Sequence, residues 1–125
     1  MLSDTEAIAT VAVKDLKTAA DFYEGKLGLR AVSREGEEVI GYQCGNSVLN
    51  VYRSEYAGTN KANAVTWVVG HDVAGLVRTL KAKGVVFEHY DLPGMKLDGD
   101  VHIGGEMKVA WFKDPDGNIL NLVSR

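Results

Sequence analysis

The sequence predicts an α+β fold built from two tandem β-α-β-β-β modules, and three observations carry that prediction. Strand-like and helix-like stretches follow one order twice along the 125 residues. The two helical stretches open alike, at Asp15 and Asp72, and close alike, at Gly28 and Gly84. Finally, Gly45-Asn-Ser-Val-Leu-Asn50-Val51 is echoed by Gly117-Asn-Ile-Leu-Asn121-Leu122.

Taken in order, Ala7 to Val13 is rich in small and β-branched residues and reads as a strand. Asp15 then caps a helix with Leu16, Ala19, Ala20, Tyr23 and Leu27 along one face. Strands are expected over 29–34, 39–44 and 48–53, separated by Glu35-Gly36-Glu37-Glu38 and Gly45-Asn46-Ser47. Residues 1–53 form the first module, 54–63 a polar linker, and 64–125 the second module of a single domain. The second module opens with a strand over 64–69. Its helix runs from Asp72 with Val73, Leu76, Val77 and Leu80 at helical spacing. A strand over 85–90 follows, and a closing hairpin over 108–113 and 118–123. Asp114-Pro115-Asp116-Gly117 has the residue order of a type I turn. Between them Asp91 to Met107 shows no periodicity and reads as a long loop, either a solvated excursion or a lid.

Composition narrows the function. Hydrophobic residues make up 46% and charged residues 25%, with a formal net charge of −3. No basic run invites nucleic acid or an anionic membrane, and no apolar run approaches a spanning length. The acidic N-terminus lacks a signal-peptide pattern, and the single cysteine, Cys44, forms no internal disulfide, so a cytoplasmic protein is expected.

Strand parity picks out candidate binding residues. Asn50 and Asn121 occupy matching places in the two modules, each an amide on an otherwise apolar strand face. Thr10 and Thr66 lie on faces that could converge with them, and Ile8, Val48, Tyr52, Val68, Ile119 and Val123 would form apolar walls. Tyr52 offers a wall with a polar tip; Trp111 could point either way, and a Trp111 that faces a pocket puts Phe112 opposite. Trp67 falls on the helix-facing parity. The competing reading is that the two amides hydrogen-bond within the core.

Val11-Ala-Val-Lys-Asp15-Leu16, Asp21-Phe22-Tyr23, Leu27-Gly28-Leu29 and Phe112-Lys-Asp-Pro-Asp-Gly-Asn118 together resemble the vicinal oxygen chelate superfamily. That superfamily includes glyoxalase I, extradiol dioxygenases, and fosfomycin and bleomycin resistance proteins. The resemblance implies curved mixed sheets forming a cup, and a homodimer. It also implies metal ligands on four strands, at the positions of Ile8, Asn50, Ala64 and Asn121. None of these is a histidine or carboxylate, the donors such a site relies on. The expectation is therefore a protein with no metal and no cofactor that holds a small organic ligand. Asn50, Tyr52, Thr66, Trp111 and Asn121 are its candidate contacts. The alternative is a glyoxalase-like lyase or isomerase, or an extradiol-dioxygenase-like enzyme. It would use ligands relocated to His89, His102 and Glu106, or a histidine base.

Overall fold

The computed structural model describes residues 2–124. The chain divides into two compact units, one ending at Thr59 and the other starting at Asn60. After a short 3-10 turn, Leu2–Asp4, the first unit contains β1 (Ala9–Val13), α1 (Leu16–Ala20), β2 (Arg30–Glu35), β3 (Val39–Cys44) and β4 (Ser47–Arg53). Its sheet has the order β1-β4-β3-β2, with β1 parallel to β4 and the other pairs antiparallel. The second unit contains β5 (Asn63–Val68), α2 (Val73–Ala82), β6 (Phe87–Glu88), β7 (Lys96–Asp98), β8 (Val101–Gly104), β9 (Met107–Lys113) and β10 (Ile119–Val123). Its sheet runs β5-β10-β9-β8-β7, with β6 also on β9 and β5 parallel to β10. Both units thus place their first strand beside their last. The fold is α+β with two mixed sheets, as the repeat predicts.

Capping explains where the helices begin. The Asp15 carboxylate accepts the Lys17 N–H at 3.0 Å and the Thr18 hydroxyl at 2.9 Å. Chiefly the Thr18 bond holds that carboxyl below the usual aspartate range. Asp72 accepts the Gly75 N–H at 2.9 Å. Gly28 and Gly84 reverse the chain at φ +73° and +92°, a region glycine enters without steric cost.

The first helix differs from the expected single α-helix. Beyond Ala20 it widens into a π-helical segment, Asp21–Lys26, and the Leu27 N–H reaches the Phe22 carbonyl at 3.0 Å. Phe22 and Tyr23 are both buried there, edge to face at 5.1 Å, and Tyr23 stacks on Tyr42 at 6.0 Å. From the same segment Glu24 accepts the Tyr42 hydroxyl at 2.8 Å and pairs with Arg34 at 3.1 Å. Burial, and then that bond to Glu24, push the Tyr42 hydroxyl far above the usual phenol range. Val11, Val13, Ile40, Leu49 and Val51 complete the buried, helix-facing side of the first sheet.

In the second unit α2 packs on β8 and β9, burying Val73, Val77 and Leu80. Phe112 is the centre of that core, 5.5 Å from the Phe87 ring and 6.3 Å from Trp67. The β9–β10 hairpin closes as its residue order predicts, with the Gly117 N–H on the Asp114 carbonyl at 3.0 Å. The buried Asp114 carboxylate ties the turn, accepting the N–H groups of Asp116 and Asn118 at 2.9 Å and the Asn118 side-chain amide at 2.8 Å.

Two expectations need correction. The strand expected over 85–90 shrinks to Phe87–Glu88, and the stretch expected to be a loop from Asp91 to Met107 contains β7 and β8. The reason is the edge of β9, which two short strands share. β6 pairs with Trp111 and Phe112, while β8 pairs with Met107, Lys108 and Val109. It is β8, and not the strand straight after the helix, that extends the sheet as β2 does in the first unit.

Candidate functional site

The side of the first sheet facing away from α1 carries a straight row of side chains across all four strands. Ser33 pairs with Gly41, Gly41 with Asn50, and Asn50 with Thr10. At the centre of the row Gly41 leaves a notch. A Cβ there would run into Ser33 Oγ and lie 3.3 Å from Asn50 Oδ1 and 3.5 Å from Val48. Glycine inside a strand often marks a close approach to the backbone, so this signal is present in the sequence although Ser33 and Gly41 were not singled out from it. The next row is Glu35, Val39, Tyr52 and Ala12. Val39, Val48, Asn50, Tyr52 and Thr10 are all half-buried or exposed, while alternate residues on the same strands are buried. The side chains of Asn50 and Ser33 make no hydrogen bond among the described residues. Thr10 does not reach Asn50; its hydroxyl turns back to the Ile8 carbonyl at 3.3 Å.

The second sheet has the matching row, Thr66 with Asn121, Asn121 with Trp111, and Trp111 with Glu88. Here the polar groups satisfy each other. Thr66 donates to Asn121 Oδ1 at 2.6 Å, and Asn121 is buried. Trp111 donates its indole N–H to Asn63 at 3.1 Å and lies edge to face with His102 at 4.8 Å and Tyr90 at 5.4 Å. Of the predicted contacts, Asn50 and Tyr52 therefore share the open face of the first sheet, and Thr66, Asn121 and Trp111 form one row of the second. Of the residues expected as apolar walls, Ile8 and Val68 are 53% and 54% exposed.

The donor set at the family's metal positions does not fit a metal. Ile8 and Ala64 have no donor atom, and Asn121 Oδ1 is already occupied by Thr66. His89, His102 and Glu106 are not gathered either. His89 Nε2 is bound to Asp100 at 2.7 Å, His102 Nε2 accepts the Tyr90 N–H at 2.9 Å, and Glu106 is exposed. Among the described residues no group of three or more His, Cys, Asp and Glu side chains is placed to hold a metal ion.

Two charged features complete the picture. Asp100 is bound by Lys81 at 2.7 Å and by His89, and chiefly the Lys81 bond holds its carboxyl below the usual range. On the helix side of the first sheet a cleft of about 780 Å³ is lined by Lys14, Asp15, Lys17, Arg34, Glu38 and Arg53 among others. Arg34 is paired with Glu24 and Arg53 with Glu38, so its charges are largely balanced. No helix among the described residues is long and apolar enough to cross a membrane.

The comparisons agree with this architecture. Residues 7–122 match the model of the Glyoxalase/Bleomycin resistance protein/Dioxygenase superfamily. No curated protein matches the chain significantly in sequence. Among solved structures, a glyoxalase family protein from Enterococcus faecalis is similar with a TM-score of 0.74 and 17% identity, covering 99% of this chain and 100% of that one. A lactoylglutathione lyase from Agrobacterium tumefaciens gives 0.71 and 16%, over 96% and 92% of the two chains. A fosfomycin resistance protein from Mesorhizobium loti gives 0.69 and 13%, over 100% and 94%. Identities this low speak to the fold alone. With the family model covering nearly its whole length, the chain belongs to the glyoxalase/bleomycin resistance protein/dioxygenase superfamily.

Proposed function

We propose that the protein binds a small organic molecule, without a metal, on the open face of the first sheet. The observation that supports this most is Asn50: a half-buried amide with no hydrogen-bond partner, beside the Gly41 notch and among apolar side chains. A concave or notched apolar surface with a few placed polar groups is the usual form of a small-molecule site. Asn50 offers both a donor and an acceptor, and the Ser33 hydroxyl offers a third group. The fitting ligand is a flat, largely apolar molecule with an amide-like or carboxyl edge set in the notch and its body against Tyr52 and Val48. Within the second unit, Thr66, Asn121 and Trp111 form a separate candidate contact surface, mainly through the Trp111 ring. Similar structures named for lactoylglutathione and fosfomycin lend the fold a precedent for small organic compounds.

The test is a screen of small heterocyclic amides and acids by thermal shift, with Asn50→Ala and Gly41→Ala as controls. Compounds that raise the melting temperature of the parent should lose roughly tenfold in affinity in Asn50→Ala, the effect of one lost hydrogen bond. Hits unaffected by both substitutions would discard the reading.

A second reading is favoured by the His89–Asp100 contact. With Asp100 accepting from Nε2–H, a neutral His89 would carry its lone pair on Nδ1, the arrangement of an oriented general base. The protein would then be a metal-free isomerase or lyase, and Asp100→Asn would abolish its turnover while sparing ligand binding at Asn50.

A further inference from the structure

Among the described residues, the second unit holds one buried side-chain polar atom with no hydrogen-bond partner. His102 is only 1% exposed, and its Nε2 accepts the Tyr90 N–H. In the neutral ring Nδ1 therefore carries the proton. That N–H has no acceptor among the described residues. Buried polar groups in native proteins nearly always have a partner.

What surrounds it is aromatic. Trp111 lies 4.8 Å away at 88°, Tyr90 6.3 Å away at 29°, and His89 6.4 Å away at 72°. None of these contacts supplies an acceptor oxygen. Trp111 is fixed by its place on β9 and its bond to Asn63. Tyr90 is the outer wall. It is 36% exposed, stands outside any strand between β6 and β7, and its hydroxyl has no partner among the described residues. The nearby Asp100 is matched by Lys81 at 2.7 Å.

We propose that His102 and Trp111 form a second binding site, opened when the Tyr90 ring swings aside, for a flat aromatic ring bearing a carbonyl or carboxylate oxygen. The oxygen accepts the His102 Nδ1–H. The ring rests against Trp111 in an edge-to-face or offset arrangement, as aromatic pairs prefer, where the Tyr90 ring now lies. Trp111 is the single residue shared with the surfaces described above, and Asn50 lies in the other unit. The Asn50 controls and the His102 controls therefore fail independently.

The experiment is long-range proton–nitrogen NMR of the His102 ring in the full chain, titrated with 1-naphthoate, 1-naphthamide and 1-methylnaphthalene. The two oxygen-bearing compounds should shift Nδ1 saturably, and the methyl compound should bind roughly tenfold more weakly. His102→Gln retains an acceptor for the Tyr90 N–H and removes the Nδ1 donor; affinity for 1-naphthoate should fall about tenfold. His102→Asn, with a donor near Nδ1, should lose less. Tyr90→Ala, which keeps the backbone N–H, should bind 1-naphthoate more tightly, and it carries the test if the histidine variants do not fold. The proposal is overturned if Nδ1 exchanges with water alone, if all three compounds bind equally, if the Gln variant binds like the parent, or if Tyr90→Ala gives no gain.

Discussion

On the first sheet Ser33, Gly41, Asn50 and Thr10 stand in one row across four strands; on the second, Glu88, Trp111, Asn121 and Thr66 stand in the matching row. The Thr and Asn positions are the same, yet the chemistry has diverged. Thr66 reaches Asn121 at 2.6 Å and the pair is closed, whereas Thr10 turns to Ile8 and leaves Asn50 open. Where the second row holds an indole, the first holds a hydrogen atom. One row stabilises its sheet, and the other keeps an unfilled polar notch.

The comparison can be broken most forcefully by making the second row resemble the first. Trp111→Gly removes a half-buried indole that packs on His102 and Tyr90 and adds backbone freedom, so urea denaturation should show a loss of roughly 3 kcal/mol. A loss under 1 kcal/mol would mean the indole is no structural support. Asn121→Ala comes next. It strands the Thr66 hydroxyl and empties a buried amide site, at a cost of about 1–3 kcal/mol in the same measurement.

The two units should also respond to opposite ends of the pH scale. Asp100 in the second unit has its pKa lowered, first by Lys81 and then by His89. Its folded pKa lies below the unfolded value near 3.8, so its contribution is present above that value and is lost as pH falls through the folded pKa. Tyr42 in the first unit has its pKa raised from 10.0 by burial and by Glu24. Its contribution is present below pH 10.0 and is lost as pH rises toward the folded value. Melting curves should show Asp100→Asn flattening the acid limb and Tyr42→Phe flattening the alkaline one. The reverse assignment would contradict the contacts described. The smallest effect is at Asn50: with no partner to lose, Asn50→Ala should change stability by no more than about 0.5 kcal/mol.

Much of this was legible in the residues. Asp15 and Asp72 as caps, Gly28 and Gly84 as helix ends and Asp114–Gly117 as a turn are local signals. Each acts within a few residues, and each is found where it was expected. Parity likewise placed Asn50 and Asn121 on matching strands. What the sequence hid was pairing. β8 is four residues between glycine-rich turns, too short for periodicity to declare, and only the free edge of β9 makes it a strand. The π-helical widening after Ala20 leaves the spacing of apolar residues almost unchanged. Nor does any local pattern tell that Thr66 meets its asparagine while Thr10 does not, since that is decided by side-chain reach across strands. The bulge between Ala31 and Ser33, which brings Ser33 opposite Gly41, escaped for the same reason.

The most direct measurement is a proton–nitrogen NMR titration of the labelled protein with the compounds that raise its melting temperature, following the side-chain amide of Asn50 and the backbone N–H of Gly41. Binding at the open row predicts that these two signals move together and saturably, with the side-chain amide of Asn121 moving less. Shifts confined to Asn121, or compounds that stabilise the protein and leave both Asn50 and Gly41 unmoved, would contradict it.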